Sequence, residues 1–243
     1  MAQRSAQQRK LITTKNRDAD RDKKSTAIFE NTGSSCYFQK VSKLLKQTIQ
    51  ILALVIPACV ILILYFDQSI SLYFNGPELE SFRGSAKILT DAGLGAPYFI
   101  LALIGYSLGR WVLKNSKLRE FSAFSFFALA AVGFVLHILK LSIGRQRPYM
   151  TETYESQVFS PFRMDWNSFP SGHSQVVFTV ATLAALVFPK WRVLYFILAL
   201  ALAFTRVITH QHFMSDILMG ATVGFLGTLW FKEFYFSKKQ FPL

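Results

Sequence analysis

Apolar residues lie along the chain in long runs, at roughly 48–66, 97–113, 121–139, 174–188, 191–208 and 217–236. A helix of about 20 residues crosses a bilayer core, and none of these runs alternates as a barrel strand would. The pattern therefore predicts an all-α bundle of six membrane-spanning helices, with tilt or local thinning absorbing the shorter runs. Pro57 is expected to kink the first of them. Between the first two runs, residues 67–96 contain Leu72, Tyr73, Phe74 and a helix-like stretch over 78–89, which reads as an interfacial segment and not a seventh span. Residues 1–47 are polar and basic. They are expected to be a mobile tail to about residue 35, then an amphipathic lead-in. The bundle would occupy 48–236 and a short tail 237–243.

Composition agrees with a membrane protein. Of 243 residues 51% are hydrophobic and only 17% charged, against about 25% charged in ordinary soluble domains. A disordered chain, a fibre and a typical soluble enzyme are all poor fits. The formal charge of +13 could signal nucleic acid, but its distribution decides. With both termini in the cytosol, 20 of the 27 Lys and Arg fall on the cytosolic side, leaving +14 there and −1 opposite. That is the positive-inside asymmetry of a membrane protein, and no nucleic-acid partner is needed. Trp111, Trp191 and Trp230 lie beside Lys or Arg at the inner ends, where interfacial anchors belong. The two cysteines, Cys36 and Cys59, have neither metal-ligand spacing nor a disulfide framework. The first apolar run starts too late for a cleaved signal peptide and reads as a retained span.

Several charges then stand where a bilayer makes them expensive. Lys140 closes the third run, Arg145 and Arg147 follow it, Arg206 nears the end of the fifth, and Asp216 opens the sixth. Such residues are functional candidates, and they gather on the outer side, which is otherwise poor in positive charge. His173, His210 and His212 are there too. The segment Ser168-Phe-Pro-Ser-Gly-His-Ser174 enters the fourth run, where backbone N–H groups at a helix start favour an anion. Together these features describe a phosphate site at the outer membrane–water interface. A metal site on His210, His212 and His173 is the rival hydrolytic reading, opposed by three neighbouring cations; no metal or cofactor is expected. A carrier or receptor for an anionic lipid would need the cations but not the His212/Asp216 pair, and no internal repeat suggests a carrier.

Three segments carry a family resemblance. Lys140–x6–Arg147–Pro148, Pro170–Ser171–Gly172–His173 and Arg206–x5–His212–x3–Asp216 resemble, in order, spacing and placement, the signature motifs of the PAP2 (type 2 phosphatidic acid phosphatase) family. The likeness covers roughly residues 48–236. Thr205 stands where the family usually has Ser. The resemblance implies a metal-independent phosphatase with His212 as nucleophile, Asp216 as its orienting carboxylate and His173 as general acid. Lys140, Arg147, Ser171, Gly172 and Arg206 would hold the phosphoryl oxygens. Thr205 is a possible assisting residue; Arg145 would either assist at the substrate headgroup or be solvated. The expected partner is a phosphorylated lipid: undecaprenyl diphosphate, phosphatidylglycerol phosphate, phosphatidic acid or lipid A. A phosphotransferase using a lipid or sugar hydroxyl as acceptor fits the same motifs. The expected location is a bacterial inner membrane, with the site facing the periplasm. The outer loop 149–167, with Tyr149, Tyr154, Phe159, Phe162, Arg163 and Trp166, could grip a headgroup or simply anchor at the interface.

Overall fold

The computed structural model describes residues 37–150 and 159–237. The expected tail to residue 35, Tyr154 and residues 238–243 lie outside the described residues. The chain forms two units, Met1–Gln47 and Thr48–Leu243. In the first, residues 37–47 are helical. The second holds the elements below.

α1 is the helical stretch 48–75, which stays helical through Pro57 and contains a π-helical turn at Leu62–Phe66. α2 is Glu80–Thr90 and α3 Gly95–Ser107, joined by a 3-10 turn at Asp91–Gly93. α4 is Ser116–Ile143, α5 Gly172–Val187, α6 Arg192–Ile208 and α7 Met214–Tyr235. Among the described residues there is no strand, only an isolated bridge between Arg145 and Phe159. The fold is all-helical, as the apolar runs imply.

Among the described residues, five helical stretches are long and apolar enough to cross a membrane: Tyr37–Asn75, Pro77–Val112, Ser116–Ile143, Pro189–Ile208 and Met214–Tyr235. The remaining run, the fourth, became α5, whose 16 residues rise about 24 Å, short of a hydrocarbon core of about 30 Å. Local chemistry sets its ends. The Ser171 hydroxyl accepts the Ser174 N–H at one end, and Pro189 follows Phe188 at the other. Asn115 caps α4 by accepting the Leu118 N–H at 3.1 Å.

Gly144 terminates α4 in the left-handed region, with φ +59°, and its N–H returns to the Lys140 carbonyl at 2.9 Å. A Cβ there would lie 1.8 Å from the Ser160 carbonyl oxygen, so glycine is required by both conformation and space.

α5 packs against α4, α6 and α7, with its most extensive interface against α7. Lipid tails are as apolar as the helices, so close backbone approach matters more here than burial from water. Gly220 and Gly224 make it possible: a Cβ on either would come within 2.4 Å of the Ser171 or the Gln175 carbonyl oxygen. Gln175 and Thr179 bond each other inside this seam at 3.1 Å, and the Thr228 hydroxyl donates to the Gly224 carbonyl at 2.6 Å. Val177, Ala181, Ala199, Ala203, Val207 and Ile217 fill the space between α5, α6 and α7. Phe124, Ala128 and Leu183 form a second cluster, closed by Phe231, Tyr235 and Phe236. The result is a rigid frame around the start of α5, the end of α6 and the start of α7.

Candidate active site

Every charged or histidine residue singled out from the three motifs comes from a helix end or an adjoining loop. α6 stops at Ile208 and α7 starts at Met214, so His210 and His212 sit in a short turn. The Arg206 carbonyl accepts the N–H groups of Gln211 and His212 at 3.0 and 3.1 Å, and His210 takes a positive φ of 59°. This tight turn directs the two imidazoles to different partners. His210 Nδ1 meets the Ser71 hydroxyl at 3.1 Å, whereas His212 Nδ1 lies 3.3 Å from Asp216 Oδ2.

Asp216 is fully buried at the third position of α7. Its Oδ2 also accepts the Phe213 N–H at 2.9 Å and the Ser168 hydroxyl at 2.5 Å. Its Oδ1 accepts Arg145 Nη1 at 2.6 Å. The Asp216 carbonyl in turn accepts the Ser171 N–H at 2.9 Å, tying the start of α5 to the start of α7. Burial holds the His212 imidazole well below its usual range, and Lys140 and Arg147 push the same way against the opposing Asp216 hydrogen bond. Burial and the Arg83 charge likewise keep His210 low. Both rings are neutral near pH 7. With Nδ1 donating to Asp216, the lone pair of the neutral His212 ring lies on Nε2.

The cations form a second group. Lys140 Nζ donates to the Asn167 carbonyl at 2.5 Å, and Arg147 Nε donates to the same residue's Oδ1 at 2.9 Å. Arg147 Nη1 reaches Gln211 Oε1 at 3.2 Å. Arg206 Nη1 donates to Thr90 Oγ1 at 3.1 Å, while the Thr205 hydroxyl donates to the Leu202 carbonyl and lies 3.1 Å from Thr90 Oγ1. Lys140, Arg147 and Arg206 are close enough for all three charges to act on His173. Arg206 Nε is buried and meets no acceptor among the described residues. Three cations, two histidines and the start of α5 thus converge on one end of the bundle. Such a cluster matches the charge that develops on transferring phosphoryl oxygens.

Arg145 differs from expectation. Arg145 neither reaches outward to a headgroup nor is solvated: it is 1% exposed and spans Asp67 and Asp216. Two carboxylates and the Phe213 ring, 4.0 Å from its guanidinium carbon, make burial tolerable. Ser171 uses its hydroxyl oxygen to cap α5 and is fully buried, with Gly172 as the first residue of that helix. His137 is exposed, outside this cluster. Among the described residues, no three His, Cys, Asp or Glu gather closely enough to hold a metal ion.

Sequence reasoning missed Asp67, Ser71, Thr90, Gly93, Asn167 and Ser215, and named Ser168 only as part of the segment entering the fourth run. Asp67 had a usable signal, an acidic residue directly after the first apolar run. Asn167 and Ser168 precede the second motif. Thr90 and Gly93 had none, because only the return of α2 beside α6 brings them to the site.

The helical frame and this cluster define a membrane phosphatase fold of the PAP2 type. A PAP2 superfamily model matches residues 122–240, and the chain belongs to that family. Among its relatives, the lipid A 1-phosphatase of Rhizobium johnstonii (strain DSM 114642 / LMG 32736 / 3841) is 32% identical over 154 residues, 61% of this chain and 62% of that protein. The lipid A 1-phosphatase of Rhizobium etli (strain ATCC 51251 / DSM 11541 / JCM 21823 / NBRC 15573 / CFN 42) is 30% identical over 170 residues, 63% of this chain and 73% of that one. The match thus spans a little under two thirds of the first relative's length. The fold resembles the crystal structure of a transmembrane PAP2-type phosphatidylglycerolphosphate phosphatase from Bacillus subtilis, with a TM-score of 0.59 and 19% identity over 80% of this chain and 98% of that chain.

Proposed function

We propose that this protein is a metal-independent lipid phosphatase that removes a phosphate from a membrane lipid through a phosphohistidine on His212. The observation that carries the reading is the buried His212–Asp216 pair, flanked by Lys140, Arg147 and Arg206. A neutral imidazole with its Nδ1 held by a carboxylate is a nucleophile at Nε2, and the carboxylate stabilises the cation that forms.

In the first half-reaction the Nε2 lone pair forms the N–P bond as the P–O bond to the lipid breaks. The leaving oxygen takes its proton from His173. In the second, water adds to phosphorus, the N–P electrons return to His212, and His173 accepts the water's proton. Lys140, Arg147 and Arg206 neutralise the equatorial oxygens throughout, and the buried Nε of Arg206 offers a donor to one of them. The two Rhizobium relatives support lipid A carrying a 1-phosphate as the substrate, and the charge asymmetry supports a site facing the periplasm.

Phosphate release by purified protein in detergent, with EDTA present, tests the reading on lipid A, phosphatidylglycerol phosphate, phosphatidic acid and undecaprenyl diphosphate. The expected result is fastest release from lipid A, undiminished by EDTA and abolished by His212→Ala. An active His212→Ala enzyme would overturn the mechanism. Activity lost to EDTA and restored by zinc would return the metal reading. Phosphate leaving the lipid only for an added alcohol acceptor would mark a transferase.

A further inference from the structure

Behind the nucleophile, the first helix supplies two side chains that no motif contains. Asp67 and Ser71 are four residues apart on one face of α1, and both are buried. They follow directly on the π-helical turn Leu62–Phe66, a local change of helix register of the kind often found at functional sites. Both point at the turn that carries His212. Ser71 meets His210 Nδ1 at 3.1 Å. Asp67 Oδ1 accepts the Ser215 N–H at 3.0 Å, capping α7 from another helix, and Oδ2 accepts the Ser215 hydroxyl.

The same Oδ2 accepts Arg145 Nη2 at 2.8 Å, while Arg145 Nη1 donates to Asp216 Oδ1 at 2.6 Å. One buried guanidinium is therefore divided between two carboxylates. Among the described residues, the charged or titratable groups near Asp216 also include His212 from the turn, Lys140 from α4 and Cys59 from α1. The Asp67–Arg145–Asp216 set carries a net charge of one negative, the charge Asp216 would have alone.

We propose that Asp67 is a positioning residue for phosphoryl transfer: by sharing Arg145 it leaves the Asp216 carboxylate's negative charge to act on the His212 imidazole. Asp67 lies ahead of the residues matched by the family model, 122–240. Without Asp67, the guanidinium charge falls wholly on Asp216, and the imidazolium that forms as His212 attacks loses its counter-charge. Without Arg145, two buried carboxylates face each other and repel, so both cannot stay ionised. Without both, Asp216 again holds its single charge.

The inference rests on the phosphohistidine reading, and a set of variants separates the two. In the phosphate-release assay, Asp67→Asn keeps an acceptor for the Ser215 N–H and should lower kcat about tenfold with KM within about twofold, equivalent to about 1.4 kcal/mol in the barrier. Arg145→Gln should lose more. Adding Asp67→Asn to Arg145→Gln should raise kcat above that of Arg145→Gln alone. Because Asp67 and Arg145 are in contact, their structural losses need not add either. The direction of kcat is therefore read against the melting temperature of each variant, and a purely structural role would move the melts without splitting kcat from KM. Wild-type kcat in Asp67→Asn, or a double variant no better than Arg145→Gln, would overturn the proposal. Thermal melts in detergent accompany each variant. Should Arg145→Gln not accumulate, Asp67→Glu decides: it retains the charge and should stay closer to wild type in kcat than Asp67→Asn, and the reverse order would overturn the proposal. No release by the wild-type protein, or full release by His212→Ala, would defeat the phosphohistidine reading instead.

Discussion

Thr90→Val isolates one hydrogen bond in the phosphate cluster while preserving shape. Thr90 is buried at the end of α2, and its hydroxyl oxygen accepts Arg206 Nη1 at 3.1 Å while sitting 3.1 Å from the Thr205 hydroxyl. Valine removes that acceptor and leaves the guanidinium unsteadied. A hydrogen bond to a charged group is worth about 1.5–3 kcal/mol. The low end applies, because Arg206 can turn toward substrate oxygens and recover part of the loss. About 1.5 kcal/mol corresponds to roughly tenfold in kcat/KM. The loss should fall mainly on KM, since Arg206 would contact the phosphate in both ground and transition states. Phosphate release measured over a range of lipid concentrations reads both parameters. Thr90→Ser, which keeps the hydroxyl, should stay within about threefold of wild type, a shift below about 1 kcal/mol. Equal activity of the Val and wild-type enzymes would refute the claim that Thr90 orients Arg206.

Three further outcomes are expected. Gly220→Ala places a Cβ 2.4 Å from the Ser171 carbonyl, so α5 and α7 must part at a cost of about 1–3 kcal/mol; the melting temperature in detergent should fall, and an unchanged melt would argue against the close seam. Gly93→Ala sets a Cβ 2.8 Å from His173 Cδ2, so kcat should drop with little change in melting, and unchanged kcat would show that His173 has room to shift. His210 and His212 are held neutral by burial, while unfolded histidine protonates near pH 6.5. The unfolded chain then binds more protons, so stability is retained above about pH 6.5 and falls below it. Melts from pH 7.5 to 5 should show that decline, with a shallower slope in His210→Asn, whose side chain tolerates the positive φ. An identical slope in the variant would remove His210 from the account.

The residues of the three motifs were legible because each is a costly exception. A cation such as Lys140 or Arg206 at the end of an apolar run calls for an explanation in a chain with only 17% charge. The helices were legible too, since a bilayer forces long apolar stretches to satisfy their own backbone. Arg145 shows where that reasoning stopped. The sequence left it either assisting at the substrate headgroup or solvated, yet Gly144 ends α4 in a left-handed turn, and Arg145 runs inward beneath Phe213.

The sequence by itself therefore determined an all-helical membrane chain and the chemical kinds of residue at one of its ends, because hydrophobic run length and misplaced charge are properties of single segments. Only the tertiary structure decided which side chains share a proton, a charge or a cap. Asp67 joins Asp216 across 149 residues of chain, and Thr90 joins Arg206 across 116. Such pairings depend on Gly220 and Gly224 letting α7 settle against α5, and on α2 folding back along α6. These are contacts between elements, and no local pattern of polar and apolar positions encodes them.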